Sequence, residues 1–274
     1  MDDVLAWLLS DSLGREKLAL LLLCTMVVYV VATHLTWRLG CGGTGHRIVV
    51  SVGRSWLGRW FAQILRLFYY AGAPFAVLWR GELVREMGIP TTYAGNRDGD
   101  AILHVLGLAE AQDVMHLGTG LAIGIGALCL LVVVWVWYVR TAFAFQRPCP
   151  DWSSPAVAWW ETLREAVFFQ AFWALYRGVV TMWTTDRLHA AFVSLALITV
   201  SWVLSPQRRH QLRDESRAYL VVQDWMFALF TAFASLTVQS LWLLVLLHAL
   251  WMWVSGRILD HLLRAHLIIA LGSE

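Results

Sequence analysis

Two ionisable residues lie in strongly apolar sequence. Glu165 sits in Arg164-Glu165-Ala166-Val167-Phe168-Phe169-Gln170-Ala171, and His248 sits in Leu247-His248-Ala249-Leu250-Trp251-Met252. A carboxylate can activate water, and an imidazole can relay a proton near neutral pH. Each residue falls near the middle of a stretch long enough to cross a bilayer. An ionisable group at that depth costs about 2.5–3.5 kcal/mol, so a partner or a water-filled cavity is expected beside it. Three uses fit the pair at this stage: a polar contact that holds helices together, a recognition site, or a catalytic pair.

The remaining polar residues are less pointed. Glu161 precedes Glu165 by one helical turn, which puts both carboxylates on one face. Its place nearer the span end predicts a solvated group. His189 and His34 fall toward span ends, so neither is positioned to assist Glu165. Arg66 lies inside an apolar run, where it either snorkels or faces other helices, and the role of Gln170 is open. The four cysteines, Cys24, Cys41, Cys129 and Cys149, are scattered and form no C-x-x-C pair. That spacing predicts neither a disulfide framework nor a zinc site. Cys24 and Cys129 are expected to be small core residues. No motif calls for a cofactor or a metal.

The elements that position Glu165 and His248 are helices in a membrane. Hydrophobic residues make up 59% of the chain, charged residues 15%, and the mean hydropathy is +0.60. Soluble domains carry about 25% charged residues, so the composition predicts an integral membrane protein with the lipid bilayer as its first partner. The net charge of +2 and the lack of an arginine stripe with interleaved aromatics exclude a nucleic-acid partner. Apolar runs of bilayer length cover 18–37, 58–79, 117–138, 156–177, 188–204, 218–236 and 239–257. The expected fold is an all-α polytopic bundle of about seven transmembrane helices. Pro74 predicts a kink in the second span, and the sixth and seventh are expected to part near 235–239.

Arginines set the orientation. They cluster in 38–57, 139–155, 205–217 and the tail after 257. With seven spans all four segments share one side, which predicts a cytoplasmic C-terminus and an external N-terminus. The expected organisation is a three-span region over 1–150, with an external loop at 80–116, and a four-span core over 151–274. The tail 258–267 has helical apolar spacing and is expected on the membrane surface. Tryptophans 152, 159, 160, 183, 251 and 253 suggest an interfacial belt. The chain shows no internal repeat, which disfavours a small transporter.

The strings around Glu165 and His248 resemble motifs of the CPBP family, the CAAX-protease and bacteriocin-processing (Abi) intramembrane proteins. The family's third motif is H-x-x-x-N. Here His248-Ala249-Leu250-Trp251 fits, and Met252 stands where Asn belongs. The first motif is E-E-x-x-x-R. Glu165 fits, Ala166 replaces the second Glu and Gln170 replaces the Arg. The second motif, F-x-x-x-H, is matched best by Phe192-Val193-Ser194-Leu195-Ala196, with Ala196 in place of His. The resemblance covers residues 151–258. It implies a membrane endopeptidase ancestry, with Glu165 activating water and His248 assisting. Loss of one oxyanion donor costs about 10²–10³ in rate, and loss of a general base about 10²–10⁴. Met252 supplies no useful hydrogen bond, and Ala196 can neither hold metal nor move protons. The resemblance thus implies a degenerate, non-catalytic relative serving as a membrane scaffold or accessory protein, whose partner is another membrane protein or a peptide. A divergent peptidase built on Glu165 and His248 is the alternative.

Overall fold

The computed structural model describes residues 14–41, 51–52, 55–79, 83, 87–88, 111–144, 159–184, 186–214, 217–238 and 240–271. Almost all of these are helical. In chain order the helices are α1 (Arg15–Cys41), α2 (Trp56–Leu67), α3 (Ala73–Trp79), α4 (Ala111–Ala144), α5 (Trp159–Thr181), α6 (Arg187–Leu204), α7 (Pro206–Arg213), α8 (Ala218–Thr237) and α9 (Leu241–Leu271). The fold is all-α and the protein is a multi-pass membrane protein. Six helical segments are long and apolar enough to cross a bilayer: Arg15–Gly40, Trp56–Leu78, Met115–Tyr138, Arg187–Leu204, Ala218–Thr237 and Leu241–Ile258. The remaining expected span is α5. At 23 residues it is long enough, about 34 Å. Its charges, Glu161, Arg164, Glu165 and Arg177, set it apart from the other six.

Local signals explain the helix boundaries. Ser55 caps α2, its hydroxyl accepting the Gly58 N–H at 2.9 Å. Pro74 lacks the N–H that would bond back one turn. The helix answers with a π-helical turn over Phe68–Gly72 between α2 and α3, just before the proline that marked a deformation in this span. Asp186 caps α6 by accepting the Leu188 N–H at 2.8 Å. Helices α8 and α9 part at 238–240, next to the break predicted from the sequence. The tail 258–267 continues α9 as one helix, because nothing between Leu241 and Leu271 breaks it. Most of the predicted external loop lies outside the described residues.

The chain divides into two compact units, Met1–Asn96 with Phe168–Arg209, and Arg97–Val167 with His210–Glu274. In the first, aromatic side chains hold α1, the π turn, α5 and α6. The Tyr69 hydroxyl donates to the Thr25 carbonyl of α1 at 3.1 Å. Tyr69 and Tyr70 meet Phe172 with centroids 5.1 and 5.4 Å apart, and Trp173 reaches Trp202 of α6. Such aromatic pairs add about 0.5–1.5 kcal/mol each beyond burial. In the second, α4, α8 and α9 group together around Gly120 and Gly124. A Cβ on Gly124 would stand 2.9 Å from the Phe230 ring, and one on Gly120 2.8 Å from Val238. These glycines let the helices approach closely, as small residues do in membranes.

Candidate functional site

Glu165 lies two turns into α5. The Arg164 Nη2 donates to Glu165 Oε1 at 3.1 Å, and both side chains are partly buried. The Arg164 guanidinium also sits over the Trp160 ring, 5.2 Å from its centroid. The carboxylate therefore has a counter-charge on its own helix. Gln170, one turn further on, is fully buried.

His248 is fully buried in α9. Its Nδ1 meets the Thr231 hydroxyl of α8 at 3.2 Å, and the donor in that contact follows the imidazole tautomer. The Phe227 ring lies 5.3 Å away. Trp251, three residues on, shares this face of the helix. Its Nε1 donates to the Gly124 carbonyl of α4 at 3.0 Å, and its ring meets Phe227 and Phe230. The string His248-Ala249-Leu250-Trp251 thus makes polar contacts to two neighbouring helices. Met252, one turn from His248, is partly buried. Glu165 and His248 each have a polar partner of their own.

Several expectations are settled by the geometry. Arg66 faces the helices around it, with its guanidinium 5.9 Å from the rings of both Tyr70 and Phe168. Ala196 lies on the exposed side of α6, whose buried face is Ala190, Ala191, Ser194, Ile198, Ser201 and Trp202. His189 pairs with the α6 cap Asp186, and His34 approaches the Leu204 carbonyl at 3.3 Å. Trp251 is buried, so it leaves the expected interfacial belt, whereas Trp159, Trp160, Trp183 and Trp253 are exposed. Cys24 and Cys129 are exposed, contrary to the expectation of core residues. Among the described residues no group of three His, Cys, Asp or Glu could hold a metal.

Two features had little sequence signal. Thr231 stands in the apolar string Phe230-Thr231-Ala232 and is marked only by its hydroxyl. A cavity of about 20 Å³ in the first unit is lined mainly by aromatics, with Tyr29, Tyr70, Tyr176 and Ser201 as its hydroxyl bearers. That volume is about one water. Set against known protein families, characterised proteins and solved structures, the chain matches none.

Proposed function

We propose that the protein is a non-catalytic membrane scaffold or accessory protein. It crosses the bilayer seven times, with its N-terminus outside and its C-terminus in the cytoplasm. The observation that carries this reading is the engagement of His248 and Trp251 in contacts between helices. Thr231 holds the imidazole, and the indole N–H is spent on the Gly124 carbonyl. A relay histidine needs a ring nitrogen directed at water or substrate, whereas Nδ1 meets Thr231 and Nε2 is buried. The Arg164 partner of Glu165 supports the same reading, and so does Met252 in place of a hydrogen-bond donor. The arginine segments support the orientation. If α5 did not cross, 205–217 and the tail would face the side opposite to 38–57 and 139–155, against the positive-inside rule.

The test is hydrolysis. Purified protein is incubated with membrane-anchored and prenylated peptides beside a Glu165→Gln control. No cleavage above the control is expected. Glu165-dependent cleavage of any of these peptides overturns the reading and makes the protein a divergent intramembrane peptidase.

A further inference from the structure

The connection between the α6 and α8 spans is a short basic helix. α6 ends at Leu204 and α8 begins at Ala218. Between them α7 reads Pro206-Gln207-Arg208-Arg209-His210-Gln211-Leu212-Arg213. Eight helical residues extend about 12 Å. A link of this length between two spans stays close to the headgroup layer, which adds about 5–8 Å to each side of the hydrocarbon core. The helix is also fixed at its start. Ser205 alone joins it to α6, Pro206 occupies its first position, and the Arg208 guanidinium lies 5.3 Å from the Trp202 centroid.

The side chains sort by face. Arg208 and Gln211 are partly buried, whereas Arg209, His210, Leu212 and Arg213 are exposed. At 3.6 residues per turn Arg209 and Arg213 lie about 40° apart, with Leu212 beside them. Leu212 is 47% exposed, an apolar side chain in a helix with no other large one. From 206 to 217 the chain carries four arginines against Asp214 and Glu215. Asp214 is held by Arg217 at 3.6 Å, and Glu215 lies outside the described residues. Two arginines one turn apart present parallel N–H forks that match phosphate oxygens.

We propose that α7 is a docking surface for anionic phospholipid headgroups. Arg209 and Arg213 bind the phosphate, and Leu212 enters the acyl boundary. The inference is independent of the non-catalytic reading, since it uses neither Glu165 nor His248. An arginine near an anionic surface contributes about 1 kcal/mol, so two give about a 30-fold change in affinity at 1.4 kcal/mol per tenfold.

The experiment uses the full chain in neutral detergent, titrated with phosphatidylglycerol and read by thermal midpoint and by lipid adducts in native mass spectrometry. A saturable rise in midpoint with phosphatidylglycerol is expected, with none for phosphatidylcholine or inorganic phosphate. The Arg209→Gln/Arg213→Gln variant should bind phosphatidylglycerol about 30-fold more weakly. Its midpoint in phosphatidylcholine should equal the parent's. If the double variant does not fold, Arg213→Gln alone should lose about five-fold. An Arg187→Gln/Arg257→Gln variant removes the same charge elsewhere and should retain affinity. An equal loss in that variant, an equal response to phosphatidylcholine, or an equal response to inorganic phosphate overturns the proposal.

Discussion

His248 and Thr231 form a polar contact between two apolar helices. Such contacts average about 0.6 kcal/mol in membranes and reach about 1.7 kcal/mol. Thr231→Val is expected to cost an amount in that range, measured by reversible unfolding in mixed micelles. His248→Ala removes a fully buried ring and should cost more, about 2–4 kcal/mol, because a cavity is added to the lost bond. A Thr231→Val cost well above 2 kcal/mol would show that the hydroxyl holds more than a packing contact. Asp186 gives a residue-scale pH effect outside the spans. Its carboxyl is held below the ordinary 3.8, first by the Leu188 N–H and then by His189. A depressed value in the folded state stabilises above the unfolded value and is lost as pH falls through the folded one. Hydrogen exchange in the first turn of α6, taken relative to the intrinsic rate at each pH, should therefore rise as pH drops below 3.8. Asp186→Asn keeps a capping oxygen and removes the proton-linked step, so its exchange should not show that acid rise. An identical acid rise in the variant would assign the effect to another group.

At the scale of elements, glycine position decides which faces of α4 can be approached. Gly120 and Gly124 lie one turn apart against Val238 and Phe230, while Gly118 and Gly126 have open space where a Cβ would go. Gly124→Ala is expected to cost about 1–3 kcal/mol, because the Phe230 ring it meets is itself stacked on Trp251. Gly118→Ala and Gly126→Ala should be neutral or stabilise by up to about 1 kcal/mol through helix propensity. Equal effects at Gly118 and Gly124 would contradict this close approach. The π turn at Phe68–Gly72 is a second element-scale outcome. It aims Tyr69 at α1 and keeps the helix going through Pro74.

For the whole molecule the deciding element is α5. In the proposed seven-span arrangement, a crossing by α5 would bring all four arginine-rich segments to one side. A reporter fused after Trp79 should read outside and one fused after Ser205 inside. If both read the same side, α5 does not cross and the seven-span arrangement fails. The Arg164–Glu165 pair would make such a crossing less costly, since neither charge would enter the bilayer without its counter-charge.

The sequence by itself determined that the chain is helical and membrane-embedded, because bilayer solvation demands long apolar segments with every backbone group bonded inside the helix. Apolar run length located the spans, and Pro74 marked where one of them would deform. Which face of each helix is buried was not legible. A span is apolar all round, so Cys24 and Trp251 give the same sequence signal although one is exposed and the other buried. Depth also singled out Glu165 and His248; the partner of Glu165 is its sequence neighbour Arg164, whereas the surroundings of His248 were decided by the tertiary structure. Thr231 and the tilted Phe227 ring come from another helix, as does the Gly124 carbonyl that accepts from Trp251, and only helix packing fixes which side chains fill the space beside the imidazole.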